Sequence, residues 1–144
     1  MSDSDQPLLV TQRIVQLCLF LVAAIALTGG TLQMYWGQPE TTPRLDNVHR
    51  FLAGIYLGSG FIALWAALTV RRQTTLIYLI ALAAFLGGCG RLLSMRLVGL
   101  PEPSGVWLGY LVPELTLPCI MVLTHLISRW QLRGTAGAPP PAKH

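Results

Sequence analysis

The sequence predicts an all-α integral membrane protein, an antiparallel bundle of four transmembrane helices. Of 144 residues, 53% are hydrophobic and only 11% are charged, whereas a soluble domain carries about a quarter charged residues. The apolar residues fall into four long runs separated by short stretches rich in Pro, Gly and Arg. Four spans of about 20 residues each use nearly the whole chain and leave no room for a separate soluble domain.

Residues 1–13 read as a short polar N-terminus with Asp3 and Asp5. The first run, residues 14–35, is long enough to cross a bilayer. Arg13 ahead of an apolar core, with Ala24-Ile25-Ala26 behind it, mimics a signal-peptide context. The upstream acidic residues and an apolar stretch that continues past that site argue for a retained span. Residues 36–47 carry Pro39, Glu40, Pro43, Arg44 and Asp46 and read as a loop. The second span, 49–70, runs straight into Arg71-Arg72-Gln73-Thr74, a turn so short that spans two and three must be antiparallel neighbours. The third span covers 75–95, and the connection 96–105 holds two prolines and two glycines. The fourth span covers 106–127. Residues 129–144 end in a Pro-, Ala- and Gly-rich stretch that cannot bury an apolar face and are expected to form a disordered tail.

Cation placement sets the expected orientation. Arg13, Arg71, Arg72, Arg129, Arg133 and Lys143 fall on one side of the spans, and Arg44, Arg50, Arg91 and Arg96 on or towards the other. Basic residues are retained inside, so both termini are expected in the cytoplasm. Tyr35, Trp36, Trp107 and Tyr110 would mark one interface, and Trp65, Tyr78 and Trp130 the other. The net charge of +4 is therefore a topology signal. It forms no run or stripe, so no nucleic-acid partner is expected.

Transmembrane helices associate through close packing at small residues and through polar contacts, because lipid is as apolar as leucine. The second span offers Gly54 and Gly58, and the third offers Ala83, Ala84, Gly87, Gly88 and Gly90. Their short connection makes packing of spans two and three along these faces the expected arrangement. Homodimerisation through Gly54 and Gly58 is the competing one.

Charged groups in hydrocarbon need a reason, since each costs roughly 2.5 to 3.5 kcal/mol at the bilayer centre. Arg50 opens the second span. Arg91 lies about sixteen residues, or roughly 24 Å, into the third. Glu114 lies about eight residues, or roughly 12 Å, into the fourth. All three therefore reach similar depths. Arg50 shares a helix face with Gly54 and Gly58, and Arg91 with Gly87 and Ser94. Pro113 and Pro118 flank Glu114 and strip the carbonyls of Gly109 and Glu114 of their helical donors, which predicts a kink there. Two readings follow. An ion-pair network of Arg50, Arg91 and Glu114, joined by His49, Asp46 and Ser94, would fix helix register. Alternatively, two arginines against one glutamate leave a positive excess suited to an anionic head group.

Cys18, Cys89 and Cys119 each sit alone in an apolar run and read as small helix residues. His49 and His125 have no second ligand at metal spacing, so neither a metal site nor a cofactor is expected. A hydrogen bond from His125 to a neighbouring helix is the expectation instead. No nucleophile with an adjacent base is visible, which favours a non-enzymatic role.

Residues 46–60 (DNVHRFLAGIYLGSG) and 90–95 (GRLLSM), followed by a span carrying Glu114, resemble the DUF4345 family of small bacterial four-helix membrane proteins. That family's pattern has a polar-x-x-Arg segment opening a glycine-rich second span, a Gly-Arg-Leu-Leu-Ser segment ending the third, and a Glu in the fourth. The resemblance implies that Arg50, Arg91, Ser94 and Glu114 form the family's polar signature. It also implies a multi-pass protein of the bacterial inner membrane, and it brings no activity with it. His49 departs from the pattern. The functional expectation is an accessory subunit or scaffold of a larger membrane complex, or a homodimer. The alternative is a binder of membrane lipid or another anionic amphiphile at the Arg/Glu cluster, and a lipid-modifying enzyme stands last.

Overall fold

The computed structural model describes residues 7–38 and 40–136. Asp3 and Asp5, and the tail beyond Ala136 with Lys143, lie outside the described residues. Four helices follow in order: α1 (Val10–Trp36), α2 (Pro43–Leu68), α3 (Thr75–Leu97) and α4 (Ser104–Ala136). Each is long and apolar enough to cross a membrane, and no strand occurs among the described residues.

Local chemistry places the helix ends. α1 stops at Gly37, whose φ of 60° suits glycine and whose N–H donates to the Gln33 carbonyl at 3.0 Å. α2 begins at Pro43, six residues ahead of the expected start, because Thr42 accepts from the Leu45 N–H and Pro43 occupies the first turn. α3 ends before Gly99, at φ 109°, whose N–H donates to the Met95 carbonyl. α4 outruns its expected end: residues 129–136 are helical and not tail. Good helix formers continue past Arg129, and the Thr11 hydroxyl donates to Gln131 Oε1 at 3.1 Å, tying the start of α1 to the end of α4.

Further contacts confirm the antiparallel register. Gln16 Nε2, early in α1, donates to the Ala67 carbonyl late in α2 at 2.9 Å. Tyr78, early in α3, meets His125, late in α4. Both described termini therefore lie at one end of the bundle.

The helices do not pair as the small-residue pattern suggested. α1 packs most extensively on α2 and also on α4, and α4 packs on α3, while α2 and α3 barely touch. A Cβ added at Gly30 would lie 2.8 Å from the Leu57 backbone nitrogen, and one at Gly60 would lie 3.0 Å from that of Leu27. These glycines bring α1 and α2 together. At Gly88 an added Cβ would meet Leu115 of α4 at 2.7 Å. Gly54, Gly58, Gly87 and Gly90 face open space. The expected α2–α3 seam is thus absent, since α2 is drawn to α1 and α3 to α4.

The core follows this layout. Val15, Cys18, Leu19, Ala66, Ala67, Val70, Ile77, Ala81 and Met121 form one buried cluster, all in the half of the bundle that carries the termini. Beside this cluster α2 and α3 stand apart.

Candidate functional site

Where α2 and α3 part, a cavity of about 390 Å³ enters the bundle, within the 300–1,000 Å³ range of small-molecule sites. α1 contributes Val22, Ile25 and Ala26, α2 contributes Tyr56 and Ile62, and α4 contributes Leu117. Leu79, Ala83, Ala84 and Gly87 of α3 line it as well. The small residues expected to hold α3 against α2 therefore shape a cleft between them.

The cleft is apolar over most of its length and polar at one end, where Glu114 enters from α4 beside Pro113 and near Tyr56 and Ser59. Glu114 accepts from Arg91 Nε at 2.7 Å. The two side chains are 15% and 33% exposed, so the pair is sheltered without being sealed. Trp107, Tyr110 and Glu114 fall at i, i+3 and i+7 on one face of α4, and the Arg91 guanidinium lies 5.8 Å and 5.6 Å from the two ring centroids. Cation–π contact and the carboxylate hold the arginine together. Gly88 is the local reason the pair forms: with no side chain there, α4 brings Leu115 and the Glu114 Cβ directly against α3.

Arg50 does not join this group. Its Nε donates to Asp46 at 2.8 Å, one helical turn away, and its Nη1 donates to the Met34 carbonyl. Asp46 also accepts from the Gln38 N–H at 2.9 Å. Arg50 and Asp46 thus clasp the α1–α2 connection, and Arg91 and Glu114 form a separate pair. Arg50→Ala is expected to speed hydrogen exchange at the Gln38 amide and leave the cleft unchanged. Slower or unaltered exchange would show that the clasp does not order the loop.

Ser94 is exposed on α3, and His49 is half-buried with its Nδ1 lacking a hydrogen-bond partner. His125 likewise makes no hydrogen bond at Nε2, against the expectation; its ring packs edge-on against Tyr78 instead, at 5.2 Å and 75°. Tyr56 escaped the sequence reading, because nothing in its spacing distinguishes a cleft-lining tyrosine from a lipid-facing one. Trp107 and Tyr110 were legible only as interfacial anchors. No three His, Cys, Asp or Glu side chains converge among the described residues. The site can therefore offer an ion pair, a phenol and an apolar slot.

Four apolar helices with a charged pair set inside one end define a small multi-pass membrane protein. Residues 10–125 match the model of a domain of unknown function (DUF4345), and the chain belongs to that family. No curated protein and no solved structure matches it.

Proposed function

We propose that this protein binds an amphiphile laterally from the membrane, the apolar chain lying in the α2–α3 cleft and the polar head meeting Arg91 and Glu114. The observation that supports this reading is the cleft itself: an apolar cavity of about 390 Å³ lined at its polar end by Glu114, the carboxylate that pairs with Arg91. A bundle serving only as a scaffold would gain by closing that space, because helices in lipid associate through close packing.

The head-group chemistry follows from charge balance. Arg91 and Glu114 compensate one another, and Arg50 is committed to Asp46, so the positive excess that would favour an anionic head is missing. What remains is a donor with four further N–H groups beside a carboxylate acceptor. That combination suits a neutral or zwitterionic head carrying both a donor and an acceptor, such as an amide, a hydroxyl ester or a phosphoethanolamine.

Membership of a larger complex predicts a different behaviour: a stoichiometric protein partner and an unoccupied cleft. Ala84→Phe separates the two, because a ring at this half-buried cleft position fills the slot without touching the ion pair. In nanodiscs, a fluorescent single-chain amphiphile should bind the wild type saturably and lose about tenfold or more in affinity in Ala84→Phe, roughly 1.4 kcal/mol. Equal binding to both proteins would remove the cleft as the site.

A further inference from the structure

The end of the bundle that carries the termini holds a second cavity, of about 290 Å³, which shares no lining residue with the first. Arg71 of the α2–α3 turn lines it with His125, Ser128, Arg129 and Arg133 of α4. On α4, His125, Arg129 and Arg133 follow at four-residue intervals and so share a face. This face exists because α4 runs past the expected end of its span.

The site is built, and it is not a surface scatter of charge. His125 is only 8% exposed and Ser128 only 3%. The imidazole is held edge-on by Tyr78, its Nε2 is buried with no hydrogen-bond partner among the described residues, and His125 is one of the residues lining the cavity. Buried polar atoms are nearly always hydrogen-bonded, so an orphan of this kind calls for a ligand. Among the described residues the charge lining it is one-signed. Among the described residues every carboxylate side chain, Glu40, Asp46, Glu102 and Glu114, belongs to the opposite half of the bundle or its loops.

We propose that this cavity binds a phosphate group, Arg129 and Arg133 pairing with its oxygens and His125 Nε2 hydrogen-bonding to it. Guanidinium forks match the several oxygens and higher charge of phosphate better than the two oxygens of a carboxylate. Leu132 and Val70, also in the lining, supply an apolar margin against which a lipid's glycerol could rest. A phospholipid head group and a free phosphate ester share this chemistry.

The test uses the full chain with 15N-labelled histidine in micelles of a phosphate-free maltoside detergent, the His125 side-chain signal being assigned by its loss in His125→Gln. Inorganic phosphate is titrated in, and in parallel phosphatidic acid is added to the micelles. A saturable shift with phosphatidic acid alone identifies a lipid head group, and a shift with both probes identifies phosphate from either source. Arg129→Gln with Arg133→Gln, both exposed and remote from the core, should weaken the response about tenfold or more through loss of two charge-assisted hydrogen bonds. Arg96→Gln, at the other end of the bundle, should not change it. Ala84→Phe should also retain it, so failure of one site is read apart from failure of the other. Absence of a shift with both probes, or an unchanged response in the double variant, overturns the proposal.

Discussion

Gly30→Leu should cost this protein about 3 kcal/mol of stability, the upper part of the overpacking range. The obstacle at Gly30 is backbone: an added Cβ would lie 2.8 Å from the nitrogen and 3.0 Å from the Cα of Leu57. Backbone inside a helix cannot swing aside as a side-chain tip can, so α1 and α2 must separate. That interface is the most extensive in the bundle, and its loss should lower the thermal midpoint in detergent. Gly54→Leu and Gly58→Leu should instead stay within about 0.5 kcal/mol of the wild type, because nothing lies within 4 Å of either position. A large loss at Gly54 or Gly58 would show that a second copy or another protein covers that face.

Glu114→Ala has the second large expected effect. Removing one partner of a fully buried ion pair costs about 3 to 5 kcal/mol, and exposed pairs contribute about 0.2 to 1 kcal/mol. With Arg91 one-third exposed and Glu114 better sheltered, a loss of about 2 kcal/mol is expected between those limits. Most of it is the cost of leaving the Arg91 guanidinium inside the bundle without its carboxylate. Removing both partners should therefore be milder than the sum of the two single changes, and a thermal-stability cycle reads that coupling directly. Strict additivity would mean that Trp107 and Tyr110 hold the arginine without help from Glu114.

The architecture was legible because bilayer thickness imposes it: four apolar runs of span length admit little else. The Arg91–Glu114 pair was legible too, since helical rise places both residues at one depth. Arg50 reached the same depth on paper, yet it is taken by Asp46 one turn earlier, a local i, i+4 preference that outweighs a distant partner. The packing partners were harder to read. Gly30 and Gly60 mediate the close approach, whereas Gly54, Gly58, Ala83 and Gly87, which look equally suited, border open space. Small residues permit contact and cavity alike, and which one results depends on the neighbour opposite. Connection length misled for a related reason: a short turn makes helices adjacent in order without making them touch. The end of α4 was misjudged because Gly134 and the prolines beyond it drew the boundary inward, while Thr11 and Gln131 fasten the helix further out.

The most direct test of the lateral binding site is a native mass spectrum of the full-length protein extracted in mild detergent from the membranes in which it is made, recorded beside Ala84→Phe. The wild type should retain one small amphiphile of defined mass per chain, and Ala84→Phe should lose it while remaining folded. A wild-type spectrum showing only the bare chain, or an adduct equally present in both proteins, would contradict the lateral binding site.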